Sequence, residues 1–292
     1  MRDEQTMMEL ILGIAGRDER VRAAALNGSR SNPAAPKDIF QDYDVVYLVT
    51  EVQSFIQDPG WIDAFGERII SQCPELMTLV PPEANGRFVY LMLLADGNRI
   101  DLRLIPVEQA EAYLLEDKLT VVLLDKDNRL PELAMPSDED YRVQPPTAEL
   151  FADCCNEFWW VSTYVAKGLW RREILYAQDH LNAHVRPMLL KMLNWQAGIR
   201  TDFSVNTGKS SKYLQAYLPE SDWEQLLDTY AGAHEEDVWE ALFAMTELFR
   251  STAKQVAEHM QYGYPEEDDR KVTAYLRRVS ELPRDADQFT WE

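Results

Sequence analysis

The stretch from Leu26 to Val49, L-N-G-S-R-S-N-P-A-A-P-K-D-I-F-Q-D-Y-D-V-V-Y-L-V, constrains this chain more than any other. It places a Gly28-Ser29 turn, a spacer, and then two carboxylates, Asp42 and Asp44, at the mouth of an apolar run. Alternate residues of a strand face the same way, so Asp42 and Asp44 project from one side and Tyr43 from the other. Neighbouring acids repel. The repulsion is relieved by a raised pKa on one of them or by a bound divalent cation, and paired carboxylates suit Mg2+ shared with a phosphate. A D-x-D at a strand end is by itself usually just solvated, and a Gly-Ser turn needs no ligand. The combination gains weight from a third carboxylate, Asp101 in R-I-D-L-R-L-I-P, where a neighbouring strand would bring it.

The flanking sequence supplies that strand. Met7, Met8, Leu10, Ile11 and Ile14 recur at helical spacing and predict a first helix over Glu4 to Ile14 that packs on a core. Arg22 to Leu26 reads as a short strand feeding the Gly28-Ser29 turn, where glycine lets the backbone approach a ligand and successive N–H groups cradle phosphate oxygens. Pro33 and Pro36 make the spacer a loop or a broken helix. Beyond the strand Asp44 to Val49, the pattern predicts a helix over 59–73, a strand over 76–80 and a break at Pro81-Pro82. Asn85-Gly86 is a turn signal, and Phe88 to Leu94, Asp96-Gly97-Asn98 and Arg99 to Ile105 read as a hairpin. If its second strand lies beside the D-x-D strand, Asp101 completes a three-carboxylate cluster. A helix over 107–116 and a short strand over 120–124 follow.

The Pro- and acid-rich segment 131–146 reads as a linker. Beyond it, helical spacing over 147–167, 171–195, 211–218, 221–231, 235–260 and 265–280 predicts a bundle, with Thr147 and Ser221 as N-caps. The expected fold is α+β: a mixed sheet with helices over 1–135, then a helical C-terminal domain over 136–292.

Composition narrows the function classes. With 29 basic against 50 acidic residues, a formal charge of −21, the surface repels phosphate backbones and disfavours a nucleic-acid partner, while a cationic small molecule is drawn in. Eight Trp and ten Phe within a 46% hydrophobic chain argue for a packed globule. No run approaches the ~20 apolar residues of a membrane helix, and the acidic N-terminus is not a secretory signal. Three cysteines, Cys73 and the adjacent Cys154 and Cys155, imply neither a disulfide framework nor a zinc site, so a reducing cytoplasm is the expected location.

The G-S, spacer, D-x-D pattern with a later hairpin Asp resembles the nucleotidyltransferase superfamily that includes DNA polymerase beta. The stretches A-L-N-G-S-R-S-N, D-Y-D-V-V-Y-L-V, R-I-D-L-R-L-I-P, L-L-D-K-D, E-F-W-W-V-S-T-Y-V-A-K-G-L-W-R-R-E, D-H-L-N-A-H-V-R-P-M-L-L-K-M-L-N-W and G-K-S-S-K-Y-L, in this order, resemble one branch of it. That branch is the aminoglycoside 6-adenylyltransferases, also called streptomycin adenylyltransferases. The resemblance implies transfer of AMP from ATP to an aminoglycoside hydroxyl, with the 6-hydroxyl of streptomycin as leading acceptor. It implies a polymerase-beta-like catalytic domain, Mg2+ held by Asp42, Asp44 and Asp101, and ATP phosphates bound by Gly28 and Ser29. Asp101 is the candidate general base or shared metal ligand, because a sugar hydroxyl is a weak acid that needs both a cation and a proton acceptor.

In T-G-K-S-S-K-Y, a P-loop would need glycine at position 203, where Phe203 stands, so Walker A is rejected. Lys209 and Lys212 remain phosphate candidates beside the bland reading of a solvated pair. For a cationic acceptor, acids and aromatics are expected to pair with and stack on its charged groups; Asp179, Glu157 and Trp195 are the candidates. Ordinary alternatives stand beside them: a salt bridge from Asp179 to Arg171, Arg172 or Arg186, and core packing for each Trp. His180 and His184 have metal-ligand spacing but no third ligand, and Glu266-Glu267-Asp268-Asp269 reads as a solvated helix start. The expected partners are ATP and a cationic aminoglycoside, with the chain a monomer or small homo-oligomer. A nucleotidyltransferase with a different small-molecule or protein acceptor, and a non-catalytic antitoxin-like protein of the same fold, are the other readings.

Overall fold

In the computed structural model, residues 1–79, 85–230 and 232–291 are described. The chain divides into two compact units, Met1–Asp140 and Tyr141–Glu292.

The first unit is built on one mixed sheet. Its strands are β1 (Val21–Asn27), β2 (Tyr43–Val49), β3 (Arg68–Gln72), β4 (Phe88–Leu94), β5 (Arg99–Pro106) and β6 (Val121–Asp125), in the spatial order β3-β4-β5-β2-β1-β6. Only β2 and β5 run parallel among these pairs; the others are antiparallel. The helices are α1 (Glu4–Arg17), the single turn α2 (Gly28–Ser31), α3 (Gln53–Gln57) and α4 (Ala110–Leu114). Asp3 caps α1 by accepting from the Thr6 N–H at 2.8 Å. Met7, Ile11, Ile14 and Ala15 on one side of α1 are buried in a core with Tyr43, Val45 and Tyr47 of β2 and Ile100, Leu102 and Leu104 of β5. A smaller cluster, with Ala23, Ala25, Val46, Leu48, Ile105 and Tyr113, fills part of the opposite face. Period-2 alternation therefore commits Tyr43 and Ile100 to the larger core and turns Asp44 and Asp101 to the other side.

Three predicted elements of this unit differ. The expected helix over 59–73 is a 3-10 stretch, Pro59–Phe65, followed by strand β3. Gly66 at φ +119° ends the helical turn, and backbone pairing with β4 claims the residues after it, a tertiary preference that outweighs local spacing. The strand expected over 76–80 is replaced by a 3-10 turn, Pro74–Leu76, without strand pairing through Leu79. Val80 and the Pro81-Pro82 break lie outside the described residues. The helix over 107–116 shortens to a 3-10 turn and α4.

The second unit is helical: α5 (Ala148–Trp170), α6 (Ile174–His180), α7 (Arg186–Arg200), α8 (Glu220–Asp228), α9 (Glu235–Met260) and α10 (Glu266–Glu281). Thr147 caps α5 by accepting from Leu150 N–H at 3.1 Å. Helix α5 is central. Phe158 stacks on Phe249 of α9 with ring centroids 3.7 Å apart, and Gly168 allows α6 to pass closely, since a Cβ there would lie 3.2 Å from Ala177 Cβ.

The single helix expected over 171–195 is two, joined by a π-helical turn, Leu181–Val185. The helix expected over 211–218 is instead a pair of 3-10 turns, Lys209–Ser211 and Leu214–Ala216. Positive φ at Gly208, Ser210 and Ser211 and the Tyr213 N–H bond to Thr207 carbonyl, 2.8 Å, fold this segment as a tight loop. Ser221 is not a cap: α8 starts one residue earlier, after Pro219, and its predicted end at Ala231 lies outside the described residues. Among the described residues no helix is long and apolar enough to cross a membrane, and Cys73, Cys154 and Cys155 are free thiols.

Candidate active site

Strand register brings the predicted acids of the first unit together. Asp44 on β2 is paired with Asp101 on its parallel neighbour β5, and with Asn27 on its antiparallel neighbour β1. Gly28 follows Asn27 immediately and opens α2 with φ +68°. A Cβ at this glycine would overlap Asp44 Oδ2 and stand 3.0 Å from its Cγ. Both the left-handed backbone and the proximity of the carboxylate thus require glycine here.

The chain entering β2 is held by Arg30 of α2. Its Nε donates to the carbonyl of Asp42 at 3.1 Å and Nη2 to that of Gln41 at 2.8 Å, while the guanidinium stacks 3.7 Å over the Tyr43 ring. Ser31 is buried and donates to Leu119 carbonyl at 2.6 Å, tying α2 to the segment before β6. Asn27 is fixed from both ends: Tyr113 donates to its Oδ1 and its Nδ2 donates to Thr120 Oγ1, at 2.6 and 2.7 Å. The Gly28-Ser29 turn and the D-x-D strand are therefore anchored to one another through side chains as well as through the β1–β2 ladder.

Burial, reinforced by the charges of Asp101 and Asp42, pushes the Asp44 carboxyl up to about 6. Of the two D-x-D acids expected to repel each other, Asp44 is the one whose carboxyl is raised. Arg99 counters the excess negative charge. Its Nε and Nη2 donate to the two Asp101 oxygens at 2.8 and 2.7 Å, and Nη1 lies 3.4 Å from Asp42 Oδ2. Among the described residues no group of three His, Cys, Asp or Glu stands ready to hold a metal ion; the Arg99 guanidinium lies among the acids. The donor set nonetheless fits a hard divalent cation, since it is all oxygen and its innermost carboxyl is buried beside two other acids.

Two features here escaped the sequence reading. Arg30 and Arg99 were part of the matched stretches, but only the three-dimensional pairing shows what their guanidinium groups touch. The Tyr113–Asn27–Thr120 chain is long-range in sequence and carries no local signal.

The second unit's candidates lie on its own elements. Trp195 is a correction: at 4% exposure it belongs to the core of the bundle beside Phe151, not to a ligand surface. The exposed indole is Trp160, which donates to Tyr164 hydroxyl at 2.8 Å. Glu157 is exposed on α5. Asp179 is 69% exposed, 4.0 Å from His180 Nδ1, and Arg186 turns elsewhere, to Asn182 and Thr229. His180 and His184 stack loosely, ring centroids 5.4 Å apart. Lys209 and Lys212 sit in the Gly208 loop, with Lys212 Nζ 4.9 Å over the Tyr213 ring. In the acidic run at the start of α10, Asp269 departs from the solvated reading: it is buried and bonded by Arg250, Tyr264 and Thr273.

The sequence matches known proteins along nearly its whole length. Residues 1–279 match the family model described as streptomycin adenylyltransferase. An aminoglycoside 6-adenylyltransferase of Bacillus subtilis (strain 168) is 47% identical over 280 residues, covering 96% of this chain and 98% of that one. One of Campylobacter jejuni is 45% identical over 278 residues, covering 95% and 96%. One of Staphylococcus aureus is 38% identical over 266 residues, covering 91% and 94%. A crystal structure of an aminoglycoside 6-adenyltransferase from Bacillus subtilis, 42% identical, covers 97% of this chain and all of that one with a TM-score of 0.49. On the strength of the sequence matches, this chain is a nucleotidyltransferase and belongs to the streptomycin adenylyltransferase family.

Proposed function

We propose that the chain transfers AMP from ATP to a hydroxyl of an aminoglycoside, the 6-hydroxyl of streptomycin being the leading acceptor, with Mg2+ held by Asp42 and Asp44. The observation that carries this reading is the pairing of Asp44 with Asp101 on one sheet face, with the Gly28 backbone against the Asp44 carboxylate. Gly28 and Ser29 offer N–H and hydroxyl donors to the triphosphate. When bound, Mg2+ supplies positive charge for the phosphate oxygens and acidifies the acceptor hydroxyl.

Asp101 accepts the acceptor hydroxyl proton as the oxygen attacks the α-phosphorus. The bond from that phosphorus to the β-phosphate bridging oxygen breaks, and pyrophosphate leaves in line with the attack. Arg30 fixes the backbone of Asp42 and so the direction of the D-x-D carboxylates. On the second unit, the exposed carboxylates Asp179 and Glu157 are suited to the guanidinium and ammonium groups of such an acceptor.

The test is a panel of acceptors with α-labelled ATP, reading which compound gains labelled AMP. Labelled streptomycin with release of pyrophosphate is expected. Transfer to a lincosamide or to protein but to no aminoglycoside would overturn the acceptor assignment, and activity undiminished by EDTA would overturn the metal. Asp42→Asn is expected to lower turnover by several orders of magnitude with the fold intact, checked by circular dichroism alongside the rate.

A further inference from the structure

Arg99 sits among Asp42, Asp44 and Asp101. Arg99 is the first residue of β5, two positions before Asp101, so both side chains leave the same face of the sheet. Its guanidinium engages both oxygens of Asp101 and reaches Asp42, and its positive charge also acts on Asp44. The side chain is 45% exposed, and among the described residues its polar contacts are with carboxylate oxygens. The arrangement is bidentate on Asp101, leaving neither oxygen uncommitted.

From these contacts we infer that Arg99 is a built-in counter-ion which competes with the divalent metal, holding the three acids together in the free enzyme and swinging out when the metal arrives. The inference rests on the metal reading of Asp42 and Asp44 given above.

The physical argument is one of charge. Asp44 and Asp101 face each other on adjacent strands with Asp42 just before β2, and negative charge gathered this closely is relieved by a cation. A lysine would offer a point charge; the planar guanidinium bridges two carboxylates at once, and being on a long flexible stem it vacates them by side-chain rotation alone. The consequence is a site preorganised in the absence of metal but weakened in its affinity for it. Metal binding to the bare protein is then suppressed, and a triphosphate that adds its own oxygens to the metal tips the balance.

The experiment measures Mn2+ binding to the full chain without nucleotide, by electron paramagnetic resonance at pH 8, in wild type, Arg99→Met and Arg99→Lys. Removal of the competitor is expected to tighten the Mn2+ Kd about tenfold in Arg99→Met, with Arg99→Lys between the two. In wild type, phenylglyoxal labelling of Arg99, read by peptide mass spectrometry, is expected to rise when Mn2+ is added. An unchanged or weaker Kd in Arg99→Met, or labelling of Arg99 that does not respond to Mn2+, overturns the role. The Asp42→Asn, Asp44→Asn double variant separates the two readings. If it binds Mn2+ as wild type does, the metal site itself is misplaced; if it loses binding while Arg99→Met is unaltered, the metal site stands and the competition does not.

Discussion

The Tyr113 hydroxyl donates to Asn27 Oδ1 at 2.6 Å, across 86 residues of sequence, and so couples α4 to the end of the strand that delivers Gly28. Tyr113 is 1% exposed. Asn27→Ala would remove the acceptor of that hydroxyl and the Nδ2 donor to Thr120 Oγ1, which keeps its bond to the Asp117 carbonyl. A cost of about 1–3 kcal/mol is expected in urea unfolding of the catalytic unit's transition. Tyr113→Phe removes one partner and is expected to cost less, with a rise in KM for ATP larger than the fall in kcat.

Gly28→Ala tests the turn itself. The new methyl group meets the Asp44 carboxylate, and an L-residue at φ +68° carries its own strain of about 1–3 kcal/mol. Turnover is expected to fall at least a hundredfold while far-ultraviolet circular dichroism is retained. Activity within threefold of wild type would mean that the turn is not packed against Asp44 during the reaction.

What could be read in the sequence follows physical range. The pairing of Asp44 with Asp101 was legible because strand alternation is a local rule, and the β2–β5 register then needed only one parallel pairing. The helices with a clear apolar stripe, α1, α5 and α9, were legible for the same reason. The residues 59–73 were misread because their spacing is compatible with a helix until the edge of the sheet recruits 68–72 into β3, a choice made by β4 and not by the segment. The loop after Gly208 was misread because its course depends on left-handed serines that no sequence rule favours. Trp195 was misjudged because burial of an indole depends on what packs around it.

Asp269 gives a prediction about the second unit. Its burial alone would raise its pKa, but bonds from Arg250 at 2.7 Å and from Tyr264 at 2.8 Å hold it below the ordinary carboxylate range. A depressed folded pKa contributes stability that is present above the unfolded value and lost as pH falls through the folded one. Asp269→Asn is therefore expected to lower the melting temperature at pH 7 and to narrow its gap from wild type in strong acid. Arg250→Met, which leaves Asp269 buried without its cation, is expected to cost about 3–5 kcal/mol. Equal destabilisation by Asp269→Asn at pH 7 and in strong acid would show that packing, not charge, is at stake.

Asp44 behaves in the opposite sense, and the sign is informative. Its pKa is raised on folding, to about 6, by burial and by its acidic neighbours. The folded metal-free chain therefore binds this proton more tightly than the unfolded chain. Stability associated with the group is present below the unfolded carboxylate value and is lost as pH rises through about 6. The loss amounts to about 3 kcal/mol at most, from the difference between the two values. Asp44→Asn is neutral at every pH, so in EDTA it is expected to be more stable than wild type at pH 8 and close to it at pH 4, while being inactive throughout. Thermal melts at the two pH values check this. A variant that is less stable than wild type at pH 8 would mean that Asp44 is already compensated in the free protein, and that the cluster has no need of an added cation.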